Sequence, residues 1–182
     1  MSAFVPPCFG AEPNAKAALY RGLAAECAAL LQGQRNAVTN MANAAALVFH
    51  ALREAEAEAG ARAGKPVNWA GFYTRDGSRA DVLVLGPFQG RPACAEIAFG
   101  RGVCGAAAAG ARSVVVADVG AFPGHIACDA ASKSEIVVPL LAADGRVLGV
   151  LDVDAAAEDA FDDYDRIGLE AIARMVVEAS DF

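Results

Sequence analysis

The chain has 182 residues, of which 55% are apolar, and a formal net charge of −7 at neutral pH. Alanine alone supplies 44 of them; the larger apolar residues make up about 31%, an ordinary globular share, and no uninterrupted apolar run reaches the about 18 residues needed to cross a bilayer. The acidic balance, without a cluster of Lys or Arg, argues against nucleic acid and anionic membranes as partners.

In chain order, residues 1–13 read as an irregular leader and residues 14–182 as one domain. The leader holds Pro6, Pro7 and Cys8 but no basic residue before Gly10, so it does not fit a signal peptide. Asn14 suits the N-cap of a helix through Gln32, which Gly33 stops. Asn36 caps a second helix to about Glu58, with Gly60 and Gly64 beyond it. Val38, Met41, Ala45, Val48, Phe49 and Leu52 recur along it at helical period, and His50 stands beside them as a structural helix-face residue. Val67–Thr74 and Asp81–Leu85 read as strands joined by the turn signal Arg75-Asp76-Gly77-Ser78. Gly86 to Gly102 reads as loop, with a short strand at Glu96–Phe99. A short helix at Val103–Ala109 and a strand at Ser113–Ala117 follow. Phe122–Ala131 reads as irregular or as a single helical turn. Ser134–Leu141 and Arg146–Asp154 form a hairpin around Asp144-Gly145. Asp162, with Asp165, caps a last helix to about Ala179 that carries Ile167, Ile172, Met175 and Val176. Helices flanking a run of strands predict an α+β fold around a mainly antiparallel sheet.

The hairpin groups three carboxylates. With Asp144-Gly145 as the central turn residues, Val137 falls opposite Asp152 and Glu135 opposite Asp154. Residues opposite one another share a face, so Glu135, Asp152 and Asp154 cluster on one side, while Ile136, Val138, Leu151 and Val153 form an apolar side. Like charges across a strand pair repel and raise each other's pKa unless a cation lies between them. The face therefore predicts a site for a small cation or an ammonium group, with a hard metal ion as the competing occupant. A solvated outer face is the plainer reading, and Pro139 weakens the register because proline in a strand implies an edge or a bulge.

Five cysteines, an odd number, argue against a structural disulfide framework. Cys27 fits a helix core and Cys8 the leader, whereas Cys94, Cys104 and Cys128 fall within 35 residues among Gly, Pro and polar residues. That setting suits reactive thiols. His125 stands three residues before Cys128, either to lower its pKa or in a backbone or packing role. A zinc site of His125, Cys128, Cys94 and Cys104 lacks the paired knuckles such sites use. Distant thiols still bond where loops bring their Cα atoms within about 6 Å.

Asn68-Trp69-Ala70-Gly71-Phe72-Tyr73, the segment Gly86–Cys94, Gly100–Gly105, Phe122–Cys128, Ser134–Leu140 and Gly149–Asp154 together resemble the free methionine-(R)-sulfoxide reductases, single-domain GAF proteins. The resemblance spans about residues 14–180. It implies a GAF fold, with a central antiparallel sheet of about six strands and the terminal helices packed on one face. It implies reduction of free L-methionine-(R)-sulfoxide, with Cys128 as nucleophile, Cys94 as main resolving cysteine and Cys104 as a second or alternative one. Glu135, Asp152 and Asp154 match the substrate-binding acids, Trp69 the aromatic wall for the substrate methyl group, and Tyr73 a further wall residue. The Ile126-Ala127-Cys128 turn, as a backbone nest or helix start, would offer N–H donors to the substrate carboxylate. The implied setting is cytoplasmic defence against oxidative stress, without metal or organic cofactor, with external thioredoxin as reductant and room for a homodimer. The rival on the same fold is a non-catalytic small-molecule sensor. It needs no trio of loop thiols, and the acid face would repel a phosphate ligand.

Overall fold

The structure, a computed structural model, describes residues 6–10, 14–58 and 67–182, and its helices begin at the caps that the sequence marks. Asn14 Oδ1 accepts from the Ala17 N–H at 3.2 Å and starts α1 (Ala15–Leu31). Asn36 Oδ1 accepts from the Thr39 N–H at 2.9 Å and starts α2 (Ala37–Glu58). Asp162 and Asp165 form a reciprocal capping box at the start of α4 (Asp163–Ala179). Gly60 and Gly64 lie outside the described residues. Between α2 and α4 run β1 (Val67–Arg75), β2 (Val82–Gly90), β3 (Glu96–Ala98), α3 (Gly102–Gly110), β4 (Val114–Val116), β5 (Ser134–Leu141) and β6 (Val147–Ala155). The strands form one antiparallel sheet in the order β3-β2-β1-β6-β5-β4.

Strand alternation gives the sheet two apolar faces. On one, Phe72, Ile136, Val138, Leu151 and Val153 pack against Leu23 and Cys27 of α1, Val48 of α2, and Leu169, Ile172 and Val176 of α4. Tyr20 seals the α1–α4 seam: its hydroxyl donates to buried Asp165 Oδ1 at 2.9 Å, and Lys16 pairs with the same carboxylate. On the other face, Tyr73, Leu83, Val137 and Val150 pack against Val103, Cys104, Ala107 and Ala108 of α3. No helix among the described residues is long and apolar enough to cross a membrane.

Four details depart from the sequence reading. Val38 is 61% exposed. At about 100° per residue it sits at the margin of a stripe centred on Met41, Ala45, Val48 and Leu52, all buried. Strand β2 runs to Gly90 rather than Leu85, because Phe88, Gln89 and Gly90 pair with Gly71, Ala70 and Trp69. In α4 it is Leu169, not Ile167, that is fully buried. The β5–β6 connection is a three-residue loop, Ala143-Asp144-Gly145: the Ala142 N–H donates to Arg146 O at 2.9 Å, and Gly145 has φ +83°. A register shift between Leu140 and Leu141 absorbs the difference, so Glu135 still faces Asp154 and Val137 still faces Asp152. Pro139 lies beyond the end of β4, where β5 has no ladder partner on that side.

Candidate active site

Three strands put their chemistry on the face below α3. Trp69 of β1 pairs with Asp154 of β6, Gly71 with Asp152, and Glu135 of β5 with Asp154. Glu135, Asp152 and Asp154 are only 6%, 3% and 3% exposed, so the solvated-face reading is overturned. A Cβ on Gly105 would meet Ala98 O at 2.3 Å, and its absence lets α3 settle onto β3. The preceding residue, Cys104, is thereby buried with its thiol donating to Glu135 Oε1, S···O 3.7 Å.

The carboxylates are arranged to stay partly unsatisfied. Asp152 Oδ2 accepts from Trp69 Nε1 at 3.0 Å, and Asp154 Oδ2 accepts from Ser132 Oγ at 3.1 Å. Asn68 Nδ2 donates to that serine oxygen at 3.0 Å. Asp152 Oδ1 and Asp154 Oδ1 are buried without a hydrogen-bond partner. Burial pushes Asp152 up to about 7 from its ordinary 3.8. Burial first, and then the neighbouring carboxylates, push Glu135 and Asp154 well above the usual range. The same causes raise the Cys104 thiol and the Tyr73 phenol. At neutral pH Glu135 and Asp154 therefore hold their protons while Asp152 is partly ionised, and the Oδ1 atoms of both aspartates lack a donor.

The cysteines complete the site. Cys94 and Cys128 are joined by a disulfide, with Cα atoms 5.4 Å apart across 34 residues of chain. The Tyr73 hydroxyl donates to Cys94 O at 3.0 Å and ties the cysteine-bearing segment to β1. Arg91 faces Asp129 at 3.5 Å beside the Cys128 segment. Cys104 is a buried free thiol, Cys27 another in the helix face, and Cys8 an exposed one.

Trp69, Tyr73, Cys104, Cys128, Glu135 and Asp152 line one cavity with Asp154 and Ile126. With the disulfide formed the cavity is nearly closed, about 20 Å³, the room of about one water molecule. Ile126 packs against Gly102 at the start of α3, whereas Ala127 is exposed and outside the lining. The Ile126–Cys128 segment is irregular rather than a helix start, and its N–H groups make no backbone hydrogen bond among the described residues. Cys104, Glu135 and Asp152 bring a sulfur and two oxygens within 4.8 Å of one another, a spacing that a metal ion could bridge. Without an ion, the Cys104 thiol donates to Glu135 and Asp152 accepts from Trp69.

The structure thus brings Trp69, Tyr73, Ile126, Cys104, Cys128 and the three acids to one cavity, with Cys94 bonded at its edge and Ala127 outside it. His125 stands beside Glu135, Nε2 to Oε2 3.8 Å. Sequence reasoning missed Ser132 and Asn68, which orient Asp154, and Phe88, whose ring stands edge-on to Tyr73 at 5.5 Å and tilted to Trp69 at 6.0 Å. The alternation that puts Asn68 one residue before Trp69 carried no sign of the first pair. Phe88 was hidden in the stretch read as loop.

The sequence profile described as "GAF domain" matches residues 39–179. A protein of Saccharomyces cerevisiae named free methionine-R-sulfoxide reductase is 44% identical over 153 residues, 84% of this chain and 81% of that one. The protein of the same name from Escherichia coli is 41% identical over 157 residues, covering 86% of each chain. The X-ray structure of the free methionine-R-sulfoxide reductase of Neisseria meningitidis in complex with its substrate superposes with a TM-score of 0.79, at 41% identity over 95% of both chains.

Proposed function

The chain belongs to the GAF-domain family of free methionine-R-sulfoxide reductases, and on that premise we propose how its cavity reduces the free amino-acid sulfoxide to methionine. The observation that carries the reading is the pair of buried, unpartnered oxygens Asp152 Oδ1 and Asp154 Oδ1 in a cavity that Cys128, bonded to Cys94, also lines. Buried acceptors without donors await a ligand that donates. An amino-acid ammonium supplies three N–H donors of the right charge. The free N–H groups of Ile126–Cys128 suit the ligand's carboxylate, and the Trp69 ring suits its methyl group. A residue embedded in a peptide has neither charged end to offer, so the site selects the free amino acid.

In the reduced protein the Cys128 thiolate attacks the sulfoxide sulfur. Glu135, kept protonated by burial beside two other acids, gives its proton to the sulfoxide oxygen. The protonated oxygen then passes from the substrate sulfur to the Cys128 sulfur: the substrate S–O bond and the new S–S bond break, a Cys128 S–O bond forms, methionine leaves, and Cys128 is left as a sulfenic acid. The Cys94 thiol then displaces that hydroxyl as water and forms the disulfide. The balance is one sulfoxide and two thiols giving one thioether, one disulfide and one water. Cys104 is a second resolving thiol in reserve, since its sulfur lines the same cavity. A cytoplasmic dithiol of the thioredoxin kind reopens the disulfide by exchange, and no bound cofactor takes part.

The test is methionine release from each sulfoxide epimer by the reduced wild type and by Cys128→Ser. The R epimer is expected to be consumed by the wild type alone, with a loss on the order of ten-thousandfold in the variant. Turnover that survives the substitution removes Cys128 as nucleophile. Equal activity on sulfoxide within a peptide removes the free-substrate claim.

A further inference from the structure

The two carboxyl oxygens of Glu135 have different neighbours. Oε1 receives the Cys104 thiol at 3.7 Å, and Oε2 faces His125 Nε2 at 3.8 Å. Around this acid stand Cys104 from α3, Asp152 and Asp154 from β6, Tyr73 from β1, and His125 from the segment before β5. Arg101 lines the cavity with its residue exposed at the mouth. Burial and the neighbouring Asp152 and Asp154 make a charge on Glu135 more costly, and only the weak donor of the Cys104 thiol acts the other way. An acid so surrounded is easily kept protonated and is correspondingly poor at giving its proton up.

His125 is placed to relieve that difficulty. Its backbone N–H donates to Phe122 O at 3.1 Å, which fixes the residue, and its side chain is 17% exposed. It is not part of the cavity lining, so it reaches Glu135 from outside the space a substrate fills. Burial holds its pKa below the ordinary value, so at neutral pH it is an uncharged imidazole that keeps one N–H.

We infer that His125 is a positioning residue for the reduction, whose Nε2–H stabilises the Glu135 carboxylate created when that acid protonates the sulfoxide oxygen. The inference rests on the reductase reading of the cavity. At 3.8 Å the two groups stand beyond hydrogen-bond distance while Glu135 is neutral. A carboxylate attracts the donor far more strongly than a neutral acid does and closes the gap. Atoms and charge balance: the Glu135 proton ends on the oxygen of the Cys128 sulfenic acid, His125 keeps its own, and Glu135 regains a proton from water once methionine leaves.

The experiment is the pH profile of kcat/KM for free methionine-R-sulfoxide, measured on the full chain as wild type, His125→Phe and His125→Gln. Wild-type activity falls on the alkaline side as Glu135 loses its proton. Removing the donor in His125→Phe makes Glu135 a weaker acid. Its alkaline limb moves to higher pH, and kcat falls about tenfold, the worth of a hydrogen bond to a charged group, while KM stays near that of the wild type. The Gln amide reaches about as far as Nε2 and restores both. His125→Asn, polar but too short to reach Oε2, behaves like Phe and replaces it if the Phe variant does not fold. An alkaline limb that stays in place in both the Phe and the Asn variants overturns the inference. A wild type that releases no methionine from the R epimer overturns the reductase reading instead.

Discussion

The two faces of the sheet are built from alternate residues of the same strands, yet they obey opposite rules. On the helix-covered face Ile136, Val138, Leu151 and Val153 are buried in an apolar cluster with residues of α1, α2 and α4. One residue further along each strand, Glu135, Asp152 and Asp154 are buried just as deeply with too few donors. The first arrangement lowers the free energy of the folded chain. The second raises it, because burying a carboxyl without full hydrogen bonding is costly. Stability and chemistry are thus separated by a single step in strand period, and the helix face supports the strain of the cavity face.

That contrast breaks most visibly if the helix face is opened. Leu169→Ala in α4 is expected to destabilise the protein by about 2–5 kcal/mol in urea unfolding, with kcat/KM for the sulfoxide unchanged while the chain is folded. A comparable loss of activity at full folding would show that the faces are not independent.

Asp152→Asn should do the reverse. It removes an acceptor for the ammonium group, and kcat/KM is expected to fall about a hundredfold, the range for one partner of a buried charged pair. Its stability effect depends on pH. The folded-state pKa of Asp152 is raised to about 7 from 3.8, so the folded state holds this proton more tightly than the unfolded one. The contribution is fully present below the unfolded value and is lost as pH rises through the folded one. The stability of Asp152→Asn relative to wild type therefore grows between about pH 4 and pH 7. Reduced protein unfolded in urea at several pH values checks this, and a flat difference contradicts it.

Smaller effects sharpen the picture. Trp69→Phe keeps an aromatic wall but removes the Nε1 donor to Asp152, and KM is expected to rise about tenfold with the fold intact. Cys104→Ser is expected to change least: substrate still produces the Cys94–Cys128 disulfide, seen by peptide mapping. Failure to form it would move the resolving role from Cys94 to Cys104.

Much of this was legible in the sequence where local rules act alone. The caps Asn14, Asn36 and Asp162 declare themselves through side-chain oxygens that reach a backbone N–H three residues on. The facing of Glu135 with Asp154 followed from strand pairing, although the turn has three residues rather than two and a compensating register shift restores the pairing. What stayed hidden depends on contacts between distant segments. Strand β2 past Leu85 is held by pairing with β1 and is masked by Gly86, Pro87 and Gly90. Ser132 and Asn68 meet only across 64 residues. The burial of the acids, on which their chemistry depends, is set by how closely α3 comes down at Gly105, which no periodicity records.

The most direct measurement is a single turnover of fully reduced protein with one equivalent of free methionine-R-sulfoxide and no external reductant, followed by methionine assay and cysteine mapping. The account predicts one methionine per chain, a new bond between Cys94 and Cys128, and Cys104 still free. Methionine released while Cys128 remains a thiol, or a Cys94–Cys128 bond formed without methionine, contradicts it.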